Sequence, residues 1–375
     1  MKIDHEDTKS VNKASKTIVF VMSSWFIFIV GSVWISSFPA SGKASGQRLE
    51  WSGQSSGALA KLYGVFFADR DRGWVVGSGG ALLATEDGGA KWRRKALPER
   101  QGNETLNDVW LFNPDRGLLL GEYGLVNRKG DVNWSERVFL LISKDRGANW
   151  EAGALQRQAV ANQNGGALKT GRPSTDPILL RMFFASDQAG WAVGESGTIQ
   201  RTSDGGATWT LQESPTRKLL YDVAAIDDGH AWAVGAGGTV LRTVDGGRNW
   251  DEQSSGVVQA LRAVHFVDAK LGWAVGARGT ILSTTNGGAN WRPQTSGVDL
   301  NLNDVVFINA KEGPREGWIA GDRGLLMHTT NGGETWESVD LGARANLSRL
   351  FFIAPDCGWV VGTSGAIFKY GLTSK

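Results

Sequence analysis

Three stretches decide the fold: GWAVGESGTIQRTSDGGATW (residues 190–209), AWAVGAGGTVLRTVDGGRNW (231–250) and GWAVGARGTILSTTNGGANW (272–291). Their closing tryptophans, Trp209, Trp250 and Trp291, stand 41 residues apart. Trp92 and Trp150 close earlier copies and Trp336 a later one, which makes six complete repeats. Each copy reads as four short strands of alternating apolar residues separated by turn glycines. In the fifth copy the first strand is LRAVHFV, the second WAVG and the third TILST, and the fourth follows the closing Trp. A four-stranded unit recurring every 40–45 residues or so is the sequence signature of a propeller blade. Such a unit buries its faces only by stacking on its neighbours.

The two chain ends supply a seventh blade. LSRLFFIAPDCGWVVGTSGAIFKYG (347–371) gives three strands and stops short of a closing Trp. Near the start, Trp51-Ser52-Gly53-Gln54-Ser55-Ser56-Gly57 matches the fourth-strand segment Trp250-Asp251-Glu252-Gln253-Ser254-Ser255-Gly256. The expected fold is therefore an all-β, seven-bladed propeller over residues 49–375, its ring closed by the N-terminal strand, which removes exposed sheet edges. Tryptophan usage agrees. Seven Trp take the closing position (51, 92, 150, 209, 250, 291, 336) and six the second strand (74, 191, 232, 273, 318, 359), where the second blade has Leu118.

Before each closing Trp lies a turn of the form Ser/Thr-x-Asp/Asn-x-Gly-x-x-Trp, with Asp87, Asp145, Asp204, Asp245, Asn286 and Asn331 at its acidic or amide position. A short side-chain oxygen there accepts bonds from the backbone N–H groups of its own turn, and glycine permits positive φ. The six belong to six different blades, and two are neutral amides. They are expected to be structural, with no catalytic or metal-binding role.

This turn is the Asp-box of BNR repeats. The combination GWAVG-x-x-GTILRT-x-DGG-x-x-W resembles the photosystem II stability and assembly factor family over residues 49–375. The resemblance implies a seven-bladed propeller outside the membrane that acts by binding during assembly of a membrane complex, without a cofactor and with an arginine-rich patch for recognition. Relatives also occur in bacteria without photosynthesis, where a transporter or exporter is an alternative partner. Fold alone does not name the partner. Asp-boxes are shared with sialidases and other glycoside hydrolases, so a glycan-acting enzyme or an envelope glycan-binding module stands as the alternative. The chain lacks a Phe/Tyr-Arg-Ile-Pro segment near its first blade, and it has only four tyrosines. A pair of facing carboxylates across the channel, which a glycosidase needs, stays open from sequence.

The chain departs from lipid-anchored members of that family at its N-terminus. Thr17 to Phe38 is a run of 22 uncharged residues with no cysteine after it until Cys357. As a helix of ~1.5 Å rise per residue it would cross a bilayer core of about 30 Å. Lys2, Lys9, Lys13 and Lys16 precede it, which by the positive-inside rule puts the N-terminus in the cytoplasm. The expected organisation is a cytoplasmic tail (1–16), a signal-anchor helix (17–38), a linker (39–48) and a propeller outside the cytoplasm. The anchor would sit in the inner membrane and the propeller in a periplasm or equivalent space. A signal peptide cleaved near Ala40-Ser41-Gly42 is the rival reading. Of the 40 Lys/Arg and 38 Asp/Glu, residues 1–48 hold six and three, so the remainder is nearly neutral. That balance argues against nucleic acid as a partner. One cysteine, Cys357, forbids a disulfide framework and any multi-cysteine metal site, and four scattered histidines argue against a zinc enzyme.

Blade geometry separates two faces. The Asp-box turns lie on one, and the strand-two-to-three hairpins and inter-blade loops lie on the other. In the second blade, Gly121 to Ser143 spans 22 residues where Gly194 to Thr202 spans 8. The added segment, 127–138, contains Asn127, Arg128, Lys129 and Trp134. The next inter-blade segment, 153–177, is about 19 residues longer than its counterparts and contains Arg157, Lys169 and Arg172. Both are expected as a raised rim on the hairpin face, where rigid scaffolds commonly carry binding loops; the bland alternative is a tolerated insertion. Arg278 and Arg323 occupy matching hairpin positions in adjacent blades. Arg217, Lys218 and Arg344 come from inter-blade loops, and Arg181, Arg262 and Arg349 begin innermost strands. Arginine there can fork onto carboxylates or phosphates. These are the positions matched to the family's arginine patch, with an ordinary mixed-charge surface as the alternative.

Overall fold

The apolar alternation of each repeat becomes an antiparallel meander. A computed structural model describes residues 48–98, 104–113, 115–123, 138–153, 156–158, 177–308 and 316–373. The fourth blade is typical. Its innermost strand is Leu220–Ala225, followed by Ala231–Gly235, Val240–Thr243 and the outer Asp251–Gln253. Seven sheets form in this way. The last consists of Leu347–Ala354, Cys357–Gly362, Ile367–Thr373 and, outermost, Arg48–Gln54. That N-terminal strand pairs antiparallel with Ile367–Thr373 and sets Trp51 opposite Tyr370. The ring therefore closes through Trp51, with the strand starting at Arg48.

Packing between blades follows one scheme. Every residue of the second strands AWAVG and GWAVG is buried, because each strand is covered on both faces by neighbouring blades. Trp232 lies flat on Phe266 of the next blade (centroids 3.6 Å apart, planes at 9°), Trp273 on Phe307 (3.5 Å, 13°) and Trp359 on Phe67 (3.4 Å, 9°). The closing tryptophans Trp291, Trp336 and Trp92 meet those same phenylalanines edge-on, each at 5.9 Å. Trp51 does the same to Phe352 at 5.9 Å and 87°, so it fills the closing position of the seventh blade. These are the two preferred aromatic geometries, and both bury large apolar area. The indole N–H groups of Trp232, Trp273 and Trp359 also donate to the Asp-box carbonyls of Gly287, Gly332 and Gly88 (2.9, 3.1 and 3.3 Å). Where Leu118 replaces tryptophan, Arg116 supplies the donor. Its guanidinium bonds the carbonyls of Asp204 (3.4 Å) and Gly205 in the third blade.

Backbone bonds fix the two faces as expected. Asp-box turns bond the turn between strands one and two, as in Gly246 N–H to Gly229 O (2.9 Å) and Gly287 N–H to Lys270 O (2.8 Å). Hairpins between strands two and three bond the next inter-blade loop, as in Gly279 N–H to Leu300 O (2.6 Å) and Gly365 N–H to Ala60 O (2.8 Å). The approach is tight enough that a Cβ on Gly238, which also sits at φ 71°, would lie 2.0 Å from the carbonyl of Val257.

One expectation needs correcting. Within the long segment after the second blade, Gln156–Gln158 is a fifth strand, parallel to Thr208–Leu211 on the outside of the third blade. Arg157 thus belongs to a sheet edge and not to a raised loop. An outer strand otherwise leaves a row of backbone groups unpaired, and an adjacent extended segment satisfies them. Asn127, Arg128, Lys129, Trp134, Lys169 and Arg172 lie outside the described residues, as do the tail, the apolar run 17–38 and linker residues 39–47. Among the described residues no helix is long and apolar enough to cross a membrane.

Candidate functional site

The Asp-boxes are closed on themselves. In each, one side-chain oxygen accepts the hydroxyl of the Ser/Thr that opens the turn and the N–H four residues further on. For Asp245 these are Thr243 Oγ1 (2.9 Å) and Asn249 N (3.0 Å), and for Asp204 they are Thr202 Oγ1 (2.8 Å) and Thr208 N (2.9 Å). Asn286 does the same with Thr284 and Asn290, and Asn331 with Thr329 and Thr335. The N–H donors hold the carboxyls of Asp87, Asp145 and Asp245 below the usual range. At Asp204 burial pushes upward, and the Thr208 hydroxyl and N–H outweigh it. All six side chains are committed to their own turns.

The channel mouth is built by a bulge. In all seven blades the innermost strand slips register just after a buried leucine, at Leu62/Gly64, Leu106/Asp108, Leu179/Arg181, Leu220/Asp222, Leu261/Ala263, Leu302/Asp304 and Leu347/Arg349. Bulges re-aim side chains. Here the residue two after that leucine reads, around the ring, Gly64, Asp108, Arg181, Asp222, Ala263, Asp304 and Arg349. Arg181 lies 3.7 Å from both Asp108 and Asp222, and Arg349 lies 3.6 Å from Asp222 and 3.3 Å from Asp304. Each carboxylate also accepts a backbone N–H from the following blade: Asp108 from Met182 (3.1 Å), Asp222 from Val264 (3.0 Å) and Asp304 from Leu350 (2.7 Å). Arg181 further donates to the carbonyl of Tyr63 at 3.2 Å.

Two of the sequence-selected arginines, Arg181 and Arg349, are thus brought together and largely buried (side chains 13% and 17% exposed). Burial alone would lower the pKa of Arg349, but the carboxylates of Asp304, Asp222 and Asp108 outweigh it. Arg262 is set one residue earlier in its strand and reaches Asn303 Oδ1 at 3.3 Å instead. Asn303 in turn donates to Asp322 at 2.9 Å. Below the ionic layer, Phe351, Phe66, Trp110 and Phe183 meet in a chain of tilted contacts (4.9, 5.2 and 5.2 Å). His265 is held neutral there, its pKa pulled down to about 4 by burial and then by Arg349. Sequence reasoning missed the three aspartates and the aromatic arc. The available signal was Leu-x-Asp in alternate repeats (106–108, 220–222, 302–304).

The remaining cations stand on the rim of the hairpin face. Arg278 and Arg323 both adopt left-handed φ (57° and 59°), uncommon for non-glycine residues, at exposed hairpin tips. Arg278 pairs with Asp299 at 3.3 Å, with both side chains exposed. The N–H of Arg323 donates to Asn346 Oδ1 (2.9 Å), which ties its hairpin to the loop that carries Arg344. Arg217, Lys218, Arg323 and Arg344 are exposed and have no ion-pair partner among the described residues. Leu59 and Val258, at the tips of two inter-blade loops on the same face, are 92% and 82% exposed.

The sequence profile described as photosynthesis system II assembly factor YCF48 matches residues 44–159, 207–261 and 256–345. A photosystem II assembly protein Ycf48 from Synechococcus sp. (strain JA-3-3Ab) is 37% identical over 84 residues, 21% of this chain and 24% of the relative, so the match spans about a quarter of that relative's length. Among solved structures, YCF48 bound to a D1 peptide superimposes with a TM-score of 0.66 at 21% identity, over 89% of this chain and 99% of the other. YCF48 from Cyanidioschyzon merolae gives 0.66 at 22% identity, over 86% and 98%. A GH74 xyloglucanase from Xanthomonas campestris gives 0.61 at 14% identity, over 85% of this chain and 53% of the enzyme. The three likenesses between structures concern the fold.

Proposed function

Because the chain belongs to the family of the photosynthesis system II assembly factor YCF48, we propose that it acts by binding: a non-enzymatic assembly or accessory factor that docks on a membrane protein complex through its hairpin face. One observation carries this reading. The exposed cations of that face, Arg217, Lys218, Arg323 and Arg344, lack ion-pair partners among the described residues, whereas the channel cations are spent on internal carboxylates. Unpaired surface arginine is suited to a carboxylate-bearing partner, steering its encounter and fixing its register. A relative described as bound to a D1 peptide supports a peptide segment as the docked element. The insert segments 127–138 and 159–177 belong to the same proposed surface.

We further propose that residues 17–38 tether the propeller from the non-cytoplasmic side of the inner membrane, on the strength of the uncharged run and the four lysines before it. Tethering raises the effective concentration beside a membrane partner. A transporter or exporter is the partner class proposed for a non-photosynthetic host. The test is co-purification from mild detergent with a tagged full-length chain. A stoichiometric membrane protein is expected, and it should be lost in the double variant Arg323→Glu/Arg344→Glu while the melting temperature stays within about 2 °C. Retention of the partner by that variant would refute the docking face.

A glycan-acting reading is favoured only by the xyloglucanase likeness. Against it, each channel carboxylate already holds a neighbour's N–H and faces an arginine. Turnover of a polysaccharide by the purified chain would reverse this.

A further inference from the structure

The channel-mouth cluster touches every blade. Asp108, Arg181, Asp222, Asp304 and Arg349 come from the second, third, fourth, sixth and seventh blades. The first enters through the carbonyl of Tyr63 and the fifth through the N–H of Val264. Its charges do not balance: three carboxylates face two guanidinium groups. The three aspartates are 3–4% exposed, so the surplus negative charge sits where water screens it poorly. Isolated charge in such a place is costly, and a carboxylate there takes up a proton in preference to bearing it.

Among the described residues no neighbouring group supplies the missing positive charge. His265, from the fifth blade, is neutral. Arg262, from the same blade, donates to Asn303 Oδ1 and forms no ion pair with the three aspartates among the described residues. Tyr63, Tyr221, Asn303 and Ser348, at the second position of their strands, are uncharged. Burial does not tighten the ion pairs. At 3.3–3.7 Å they are comparable to the exposed pairs Arg278–Asp299 (3.3 Å) and Lys144–Glu151 (3.5 Å), although they are buried. Asp222 Oδ1 is buried and accepts no hydrogen bond.

We propose that this cluster is a buried proton-binding site: one proton, taken up at Asp108 or Asp304, neutralises the hub that joins the seven blades. The proton belongs to the two together, as in any strongly coupled set of carboxylates. Burial pushes the carboxyls of Asp108 and Asp304 upward against the lowering by the arginines, in the same sense. A carboxyl whose folded pKa stands above the unfolded value of about 3.9 withholds stability at neutral pH. It returns that stability as pH falls through the folded value, down to the unfolded one. The hub is thus a pH-sensitive element that tightens in mild acid.

The test is infrared titration of the full chain in mild detergent from about pH 8 to about pH 4.5, above the range of ordinary aspartates. A protonated-carboxyl band should grow in with its midpoint above that range. It should vanish in Asp304→Asn, which leaves two carboxylates for two arginines. In Arg349→Met, where the surplus grows, its midpoint should rise by more than a unit. Absence of the band in the wild-type chain would overturn the proposal even if neither variant folds. So would a band unchanged in Asp304→Asn.

Discussion

At Asp204 the physics of the Asp-box can be isolated. Its carboxylate accepts the Thr202 hydroxyl and the N–H and hydroxyl of Thr208 (2.8, 2.9 and 2.6 Å), and none of these bonds requires a charge. Asn286 and Asn331 hold the same turn with an amide oxygen. Asp204→Asn is therefore expected to leave urea-unfolding stability within about 0.5 kcal/mol, whereas Asp204→Ala loses several bonds and costs about 1–2 kcal/mol. Because their folded pKa values lie below the unfolded one, the carboxylates of Asp87, Asp145, Asp204 and Asp245 contribute stability above about pH 4. They lose it as pH falls through their folded values, opposite in sign to the channel hub. The motif that announces the turn was legible because all its partners lie within four residues.

Among the elements, the N-terminal strand and the second strands carry the ring. Trp51 contacts Trp318, Phe352 and Tyr370 at 5.4, 5.9 and 5.3 Å and so bridges the sixth and seventh blades. Trp51→Ala is expected to cost about 3 kcal/mol in chemical unfolding, near the low end for buried aromatic truncation. The Trp359–Phe67 stack spans the junction of the last blade with the first. Trp359→Phe keeps the stack and loses the bond to Gly88 O, for about 1 kcal/mol in the same assay. Pairing of Trp51 with the seventh blade was legible because its segment repeats another blade's fourth strand. The role of Arg116 was not, since the carbonyls it bonds belong to the next blade, 88 and 89 residues away.

For the whole molecule, the inter-blade stacks and the hub predict one unfolding event. Each blade buries its second strand against its neighbours, and the hub reaches all seven. Far-ultraviolet dichroism and tryptophan fluorescence should give coincident unfolding curves, as in a two-state transition. A blade-by-blade process, as in an open repeat array, would separate them.

The repeats alone determined the blade, the number of blades, the closing strand, the two faces and the structural role of the Asp-boxes, because each rests on bonds within one repeat or on periodicity. Tertiary structure decided what the channel arginines do. A bulge shared by seven strands separates Arg262 from Arg181 and Arg349 and turns the latter pair onto Asp108, Asp222 and Asp304. It also decided that Arg157 lies on a sheet edge. Those partners are tens to hundreds of residues apart in the chain. Only closure of the ring brings them within bonding distance, and whether an arginine is free for a partner depends on what closure sets beside it.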